Sequence, residues 1–178
     1  MMRKLTHAQI VDRQIVQSQQ PRMPVSVVLD SIRSLHNVGA IFRTADGAGI
    51  EKIWLCGITG YPPQGDIAKT ALGAEQSVPW EYAQDIMEVV RQHKARGYQI
   101  VLLEQLDASI PHDTFIPEKP VCLVVGNEVE GVVEELAQCA DVAVEILMAG
   151  VKNSLNVAVA FGVVAFHLKG VFSRRGGI

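Results

Sequence analysis

Short runs that are apolar at successive positions recur along the chain at Val25–Leu29, Ile53–Cys56, Gln99–Leu103, Val121–Val125 and Val142–Leu147. Each is the length of a strand, and a strand that is apolar on both faces is what a parallel sheet covered by helices on either side requires. The pattern between the runs changes to helical spacing. Val38, Ile41, Phe42, Ala45 and Gly49 share one helix face, and Ile86, Val89, Val90 and His93 share another, which Gly97-Tyr98 ends. Strand and helix therefore alternate, and the alternation predicts a single α/β domain with a mostly parallel sheet flanked by helices.

Two segments stand outside the alternation. Residues 3–20 read as an amphipathic helix offering Leu5, Ile10, Val11 and Ile15 for docking and ended by Pro21 and Pro24. Residues 57–80 read as one long connection, carrying Gly60-Tyr-Pro-Pro-Gln-Gly65, then Lys69-Thr-Ala-Leu-Gly-Ala74, then Pro79-Trp80. Connections of that length in a compact domain often carry function. The longest apolar stretch, Val157–Phe166, falls short of the ~18 residues expected of a membrane span.

Composition narrows the class further. Of 178 residues, 48% are hydrophobic and 20% charged, enough to bury a core and too apolar for intrinsic disorder. The net charge of −3 argues against a uniformly basic nucleic-acid binder, but it is unevenly spread. Residues 1–24 and 167–178 each carry +3, leaving −9 for the middle. The start of the chain lacks the pattern of a secretory signal, and a cytoplasmic location is expected. Cys56, Cys122 and Cys139 have no paired spacing and are expected as reduced, buried thiols. The five histidines do not fall at ligand spacing with cysteines or carboxylates, so no metal is expected.

Three polar constellations remain, each following an expected strand end, where open α/β sheets bind their ligands. The first runs from Asp30 through Asn37, Gly39, Arg43 and Asp46 to Gly49. Asn37 has the position of a helix N-cap, and Arg43 is spaced to pair with Asp46 on a solvated face. Gly39 and Gly47 each cost a helix ~1 kcal/mol relative to alanine, a cost that close backbone approach by a partner or ligand would offset. The second is Gly126-Asn-Glu128-Val-Glu130-Gly131, where Glu128 is placed to face a cleft and Glu130 to complement the positive end of a helix over 132–139. In the third, Ile146-Leu-Met148-Ala-Gly150 leads to Ser154-Leu155-Asn156 and an apolar helix. Ser154 suits an N-cap, while Asn156, before a helix expected to be buried, would need hydrogen-bond partners for its amide. Dinucleotide, P-loop and Ser-His-Asp patterns are not matched.

Taken together, N-V-G-A-I-F-R-T-A-D (37–46), L-V-V-G-N-E-x-E-G (123–131) and I-L-M-A-G-x-x-x-S-L-N-V-A-V-A (146–160) resemble, in order and spacing, motifs one to three of the SpoU/TrmH ribose methyltransferases of the SPOUT superfamily. The stretch Lys69–Trp80 also resembles that family's central loop. The resemblance implies a parallel α/β sheet with a C-terminal deep trefoil knot, S-adenosyl-L-methionine as cofactor, and methyl transfer to a ribose 2′-hydroxyl of RNA. It further implies a homodimer whose active sites draw on both subunits. By matching position, Arg43 resembles the catalytic arginine, and Asn37, Glu128, Ser154 and Asn156 the other polar site residues. Gly126, Ile146, Met148 and Leu155, with Leu103 and Glu104 from the preceding strand end, would form the cofactor pocket. An arginine is a poor base, so Arg43 is expected mainly to orient the phosphate and hydroxyl of the target. Leu147 departs from the proline usual in motif three.

The expected organisation is an N-terminal helical extension (1–24), a methyltransferase domain (25–168) and a basic C-terminal tail (169–178). tRNA is expected ahead of rRNA as substrate, because the chain is compact and has an N-terminal extension. A non-catalytic RNA-binding relative is the alternative from another class. The basic ends are expected to flank the RNA.

Overall fold

The computed structural model describes residues 2–127 and 129–176. An N-terminal helix α1 (His7–Ser18) precedes the alternating part of the chain. Seven strands follow: β1 (Met23–Asp30), β2 (Ile50–Cys56), β3 (Trp80–Ala83), β4 (Gln99–Leu103), β5 (Ile110–Pro111), β6 (Val121–Val125) and β7 (Val142–Glu145). They form one sheet in the order β3-β2-β1-β6-β4-β7-β5, and every pairing is parallel. Central strands are apolar on both faces for the expected reason. Val25, Val27 and Leu29 point into one core with Leu123 and Val125, while Val28, Ile100, Leu102, Cys122 and Val124 point into the other. Because all strands run the same way, their carboxyl ends share one edge of the sheet.

The helices between strands are α2 (Leu35–Ala48), α3 (Gly65–Ala71), α4 (Ala74–Ser77), α5 (Ile86–Ala95) and α6 (Glu134–Cys139), and α7 (Val157–Arg174) follows the last strand. The expected long connection over 57–80 is thus partly helical, with Ile67, Ala71, Ala74 and Val78 buried in the core. It ends in β3, whose four residues are too few for alternation to show. The two-residue β5 was equally hidden, and β7 stops at Glu145 rather than Leu147.

Gly39 has its offset. An added Cβ would lie 2.1 Å from Thr70 Oγ1 and 2.3 Å from the Ile67 carbonyl oxygen, so α3 of the same chain is what approaches. Gly47 shows no such constraint. The N-cap of α2 is Ser34, whose hydroxyl accepts the Asn37 N–H at 3.3 Å; Asn37 lies inside the helix and is not its cap.

In α1, a Thr6/Gln9 capping box closes the first turn, yet none of the helix's residues is buried. Its apolar side, with Leu5, Ile10 and Ile15 exposed, has no docking surface within the described residues. Helix α7 has 18 residues and is long and apolar enough to cross a membrane by length and composition, which the shorter run 157–166 did not suggest. Its Phe161, Val164, Ala165 and Leu168 instead pack into the core against the sheet. It continues unbroken through Lys169 to Arg174. Cys56 and Cys122 are buried free thiols and Cys139 is half-buried; burial pushes the Cys56 thiol up to about 12.

His93 is 2% exposed, with Nδ1 2.8 Å from the Val89 carbonyl and Nε2 3.0 Å from Ser26 Oγ. Burial lowers its pKa from the ordinary value. The unfolded chain therefore takes up the proton first, and stability is lost as pH falls through the unfolded value near ~6.5, at up to about 1.4 kcal/mol per pH unit. Asp30, raised by burial, works in the opposite sense at lower pH. Thermal melts between pH 7.5 and 5.5 are expected to show a falling midpoint that flattens in His93→Gln. An unchanged pH slope in that variant rules His93 out as the source.

Candidate functional site

At the carboxyl edge of the sheet, a cavity of about 520 Å³ opens beyond β1, β6, β4 and β7. Its size falls in the ~300–1,000 Å³ range of small-molecule sites. Three loops make its walls: Leu103-Glu104-Gln105 after β4, Gly126-Asn127 after β6, and Ile146, Met148 and Ser154–Val157 between β7 and α7. Arg33, Ser34 and Asn37 close it from the β1–α2 turn. Leu103, Ile146, Met148, Leu155 and Val157 supply apolar surface, and Glu104 and Glu145 supply carboxylates, so the lining suits a ligand with a flat apolar part and a cationic part.

The loop after β6 is held from several sides. Asn127 and Gly131 exchange backbone hydrogen bonds, and a Cβ on Gly126 would lie 2.7 Å from the Gly131 carbonyl carbon. Gly131 has a positive φ, and a Cβ there would meet Glu104 Oε2 at 2.5 Å. Asn127 Oδ1 accepts the N–H groups of Val129 and Glu130 at 2.8 and 3.0 Å, and its Nδ2 donates to the Ser31 carbonyl at 2.8 Å. Asn127 thus ties this loop to the β1–α2 turn. Glu128 lies outside the described residues. Glu130 is exposed and precedes α6, whose first turn carries Glu134 and Glu135, so these two rather than Glu130 complement the helix end.

Across the cavity, Asn156 Nδ2 donates to Asn37 Oδ1 at 3.1 Å. Asn156 Oδ1 accepts from Ala158 and Val159 N–H, which makes Asn156 the N-cap of α7. Two expectations change: Ser154 is not the cap, and the Asn156 amide is exposed rather than buried. The amide is partnered nonetheless, because it serves the helix end and Asn37 together. Ser154 is also exposed, with Asn153 Oδ1 at the 3.5 Å limit of hydrogen bonding.

Of the residues singled out by sequence, Asn37, Leu103, Glu104, Gly126, Ile146, Met148, Ser154, Leu155 and Asn156 line this one cavity. Arg43 does not. It stands six residues after Asn37, about 120° away around the helix, and is exposed with no hydrogen bond or ion pair among the described residues. The expected Arg43–Asp46 pair does not form, since Asp46 Oδ1 accepts the Ser77 hydroxyl at 2.7 Å. Sequence reading missed Gln105, Asn127 and Glu145 as lining residues. Gln105 Nε2 donates to the Asn153 carbonyl at 2.7 Å and joins two walls. The strand-end rule could have found it, because it is the second residue after β4.

The basic ends are partly committed within the fold. Arg22 donates to the carbonyls of Ile50 and Ser77, Lys169 to that of Gly47, and Arg175 to that of Pro117. Arg3, Lys4 and Arg13 are exposed. Among the described residues, no group of three metal-ligating side chains gathers.

Residues 24–166 match the model of the SpoU rRNA methylase family. Over 158 residues the chain is 34% identical to a tRNA (guanosine(18)-2′-O)-methyltransferase of Aquifex aeolicus, covering 83% of this chain and 72% of that one. It is 32% identical to a 23S rRNA (guanosine-2′-O-)-methyltransferase of Ralstonia nicotianae, covering 81% of this chain and 57% of the relative. An AdoMet-bound rRNA methyltransferase from Sinorhizobium meliloti superposes with a TM-score of 0.78 at 34% identity, over 85% of this chain and 57% of that one. The chain thus spans little more than half the length of the last two proteins.

Proposed function

This chain belongs to the SpoU rRNA methylase family, and on that premise we propose that it uses S-adenosyl-L-methionine to methylate a ribose 2′-hydroxyl of RNA, with tRNA ahead of rRNA as substrate. The observation that carries the reading is the single cavity that gathers the motif-two and motif-three residues with Asn37. Its lining fits the cofactor. Apolar side chains from Leu103, Ile146 and Leu155 suit an adenine ring, and the carboxylates of Glu104 and Glu145 suit a sulfonium cation. When bound, the cofactor would supply an electrophilic methyl group to the ribose oxygen, its sulfonium becoming a neutral thioether and the hydroxyl proton passing to solvent.

The chain's own task is positioning. Asn37 and Asn156, already hydrogen-bonded to each other, present amide groups to the ribose at the mouth of the cavity. Ser154 holds the adjoining loop. Arg43 fixes the target phosphate and hydroxyl, and its distance from its own cavity supports a homodimer in which it serves the site of the other copy. An uncovered apolar stripe on α7 supports the same arrangement: Val159, Val163 and Phe166 are 52%, 37% and 51% exposed, one side of the helix left open. The trefoil knot of the C-terminal segment belongs to this reading, supported by the way β4, β6 and β7 bring their loops to one cavity. RNA approaches through Arg3, Lys4 and Arg13 on the N-terminal extension. The tRNA preference is supported by the larger share of the Aquifex enzyme's length that the chain spans. The enzyme works in the cytoplasm, where both RNAs reside.

Incubation with radiolabelled S-adenosylmethionine and bulk tRNA or rRNA, followed by nuclease digestion, tests the proposal. The expected result is label in 2′-O-methylnucleosides of the tRNA fraction. Label confined to rRNA reverses the preference, and label in bases, or none in either RNA, overturns the activity.

A further inference from the structure

The segment Gly57–Gln64 after β2 is used by nothing so far described, and it sits on the same edge of the sheet as the cavity. We propose that Tyr61, backed by Tyr82, is a stacking surface for a nucleobase of the substrate RNA beside the methylated nucleotide; this rests on the RNA methyltransferase reading. The Tyr61 ring lies 4.8 Å from that of Tyr82, tilted by 44°, and 6.3 Å from that of Trp80, nearly parallel at 28°. Despite these neighbours Tyr61 remains 44% exposed, next to exposed Ile58. The Tyr82 hydroxyl is fixed 3.0 Å from the Gly57 carbonyl and 2.7 Å from Gln84 Oε1.

The surface is rigidly tied to the turn that closes the cavity. Buried Thr59 donates to the Leu29 carbonyl at 3.0 Å and accepts the Ile32 N–H at 2.9 Å. Gly60 packs so tightly on Leu35 that a Cβ would come within 2.2 Å of its Cδ2, and a Cβ on Gly57 would come within 2.4 Å of Ser31 Oγ. Residues 31–35 thereby join the turn that closes the cavity to the segment carrying Tyr61, whose ring lies over β3 on the same edge of the sheet, and that turn carries exposed Arg33. A preset aromatic face, tied to the turn that carries Arg33, has the chemistry of a base-stacking contact, which tolerates sequence and contributes a substantial part of single-strand affinity. A protein partner would gain little from so small a patch.

The test measures kcat and KM for whichever bulk RNA fraction the wild-type enzyme methylates, in Tyr61→Ala, Tyr61→Trp and Tyr82→Phe, together with S-adenosylmethionine affinity. Tyr61→Ala is expected to raise KM for RNA roughly tenfold with kcat and cofactor affinity unchanged, and Tyr61→Trp to restore it. A parallel titration uses a fluorescein-labelled oligoadenylate and an abasic strand with the same number of phosphates. Wild type and Tyr61→Trp should favour the strand with bases, and Tyr61→Ala should bind both alike. An unchanged KM in Tyr61→Ala, or a preference for bases that survives it, overturns the proposal and leaves the methyltransferase reading intact. A change in sedimentation of Tyr61→Ala from dimer to monomer assigns the face to a subunit contact, again against the proposal. If wild type methylates no RNA, the functional reading fails and the proposal falls with it.

Discussion

Replacing Arg43 by alanine is expected to lower the methyl-transfer rate constant by two to three orders of magnitude, the range seen when one positioned charge is removed from an active site, while S-adenosylmethionine affinity stays at the wild-type level. The second half of that expectation follows from geometry. Arg43 does not line the cavity of its own chain, so its removal takes no contact from a cofactor bound there. Stability should also be unaffected, because the side chain is exposed and has no ion-pair partner among the described residues. Arg43→Lys retains the charge but not the forked donor geometry, and is expected to recover only part of the rate.

Mixing subunits isolates the proposed division of labour. Arg43→Ala and Asn37→Ala chains, each inactive alone, are expected to regain about a quarter of wild-type activity when refolded together in equal amounts, since random pairing gives half heterodimers with one intact site each. No recovery in the mixture places Arg43 in its own subunit's chemistry or outside the chemistry altogether. Full activity in Arg43→Ala alone removes it from the mechanism.

Gly39→Ala is expected to destabilise the fold by about 3 kcal/mol, the upper end of the cost of overpacking a tight contact. Two effects oppose one another here. Alanine gains ~1 kcal/mol of helix propensity over glycine. Against that, its methyl group would fall 2.1 Å from Thr70 Oγ1 and 2.3 Å from the Ile67 carbonyl oxygen. A hydroxyl can rotate away, but the Ile67 carbonyl is backbone of α3 and can move only if the helix moves. Sterics therefore prevail, and the melting temperature should drop by roughly 10 °C for a domain of this size. Thr70→Ala in the same chain should recover only a fraction of the loss. A Gly39→Ala protein that melts at or above the wild-type temperature shows that α3 yields without cost.

That pair of substitutions also marks how far sequence reasoning reached. The glycine in the middle of α2 was visibly anomalous, because its helix cost is a local property. What offsets the cost was not visible, since α3 lies some thirty residues later, in a segment with too few apolar positions to declare itself a helix. Caps behaved similarly. Ser34, Asn37, Ser154 and Asn156 are all residue types that cap helices, and only the point at which packing starts each helix selects Ser34 and Asn156. Asn156 shows a further limit, because its flanking apolar run implied burial, whereas the run is covered on one side only.

By itself the sequence determined the parallel α/β class, the identity of the central strands and the three polar segments at their carboxyl ends. These depend on which neighbouring residues are apolar, and a strand buried on both faces or a helix buried on one writes that requirement directly into its spacing. Only the tertiary structure decided that Leu103, Gly126, Ile146, Asn37 and Asn156 share one cavity, that Arg43 is turned away from it, that Arg22, Lys169 and Arg175 serve the fold's own carbonyls, and that Thr59 and Gly60 tie the Tyr61 segment to the turn that closes the cavity. Each of these is a relation between segments far apart along the chain, set by strand order and by what covers each apolar face, and periodicity carries no record of either.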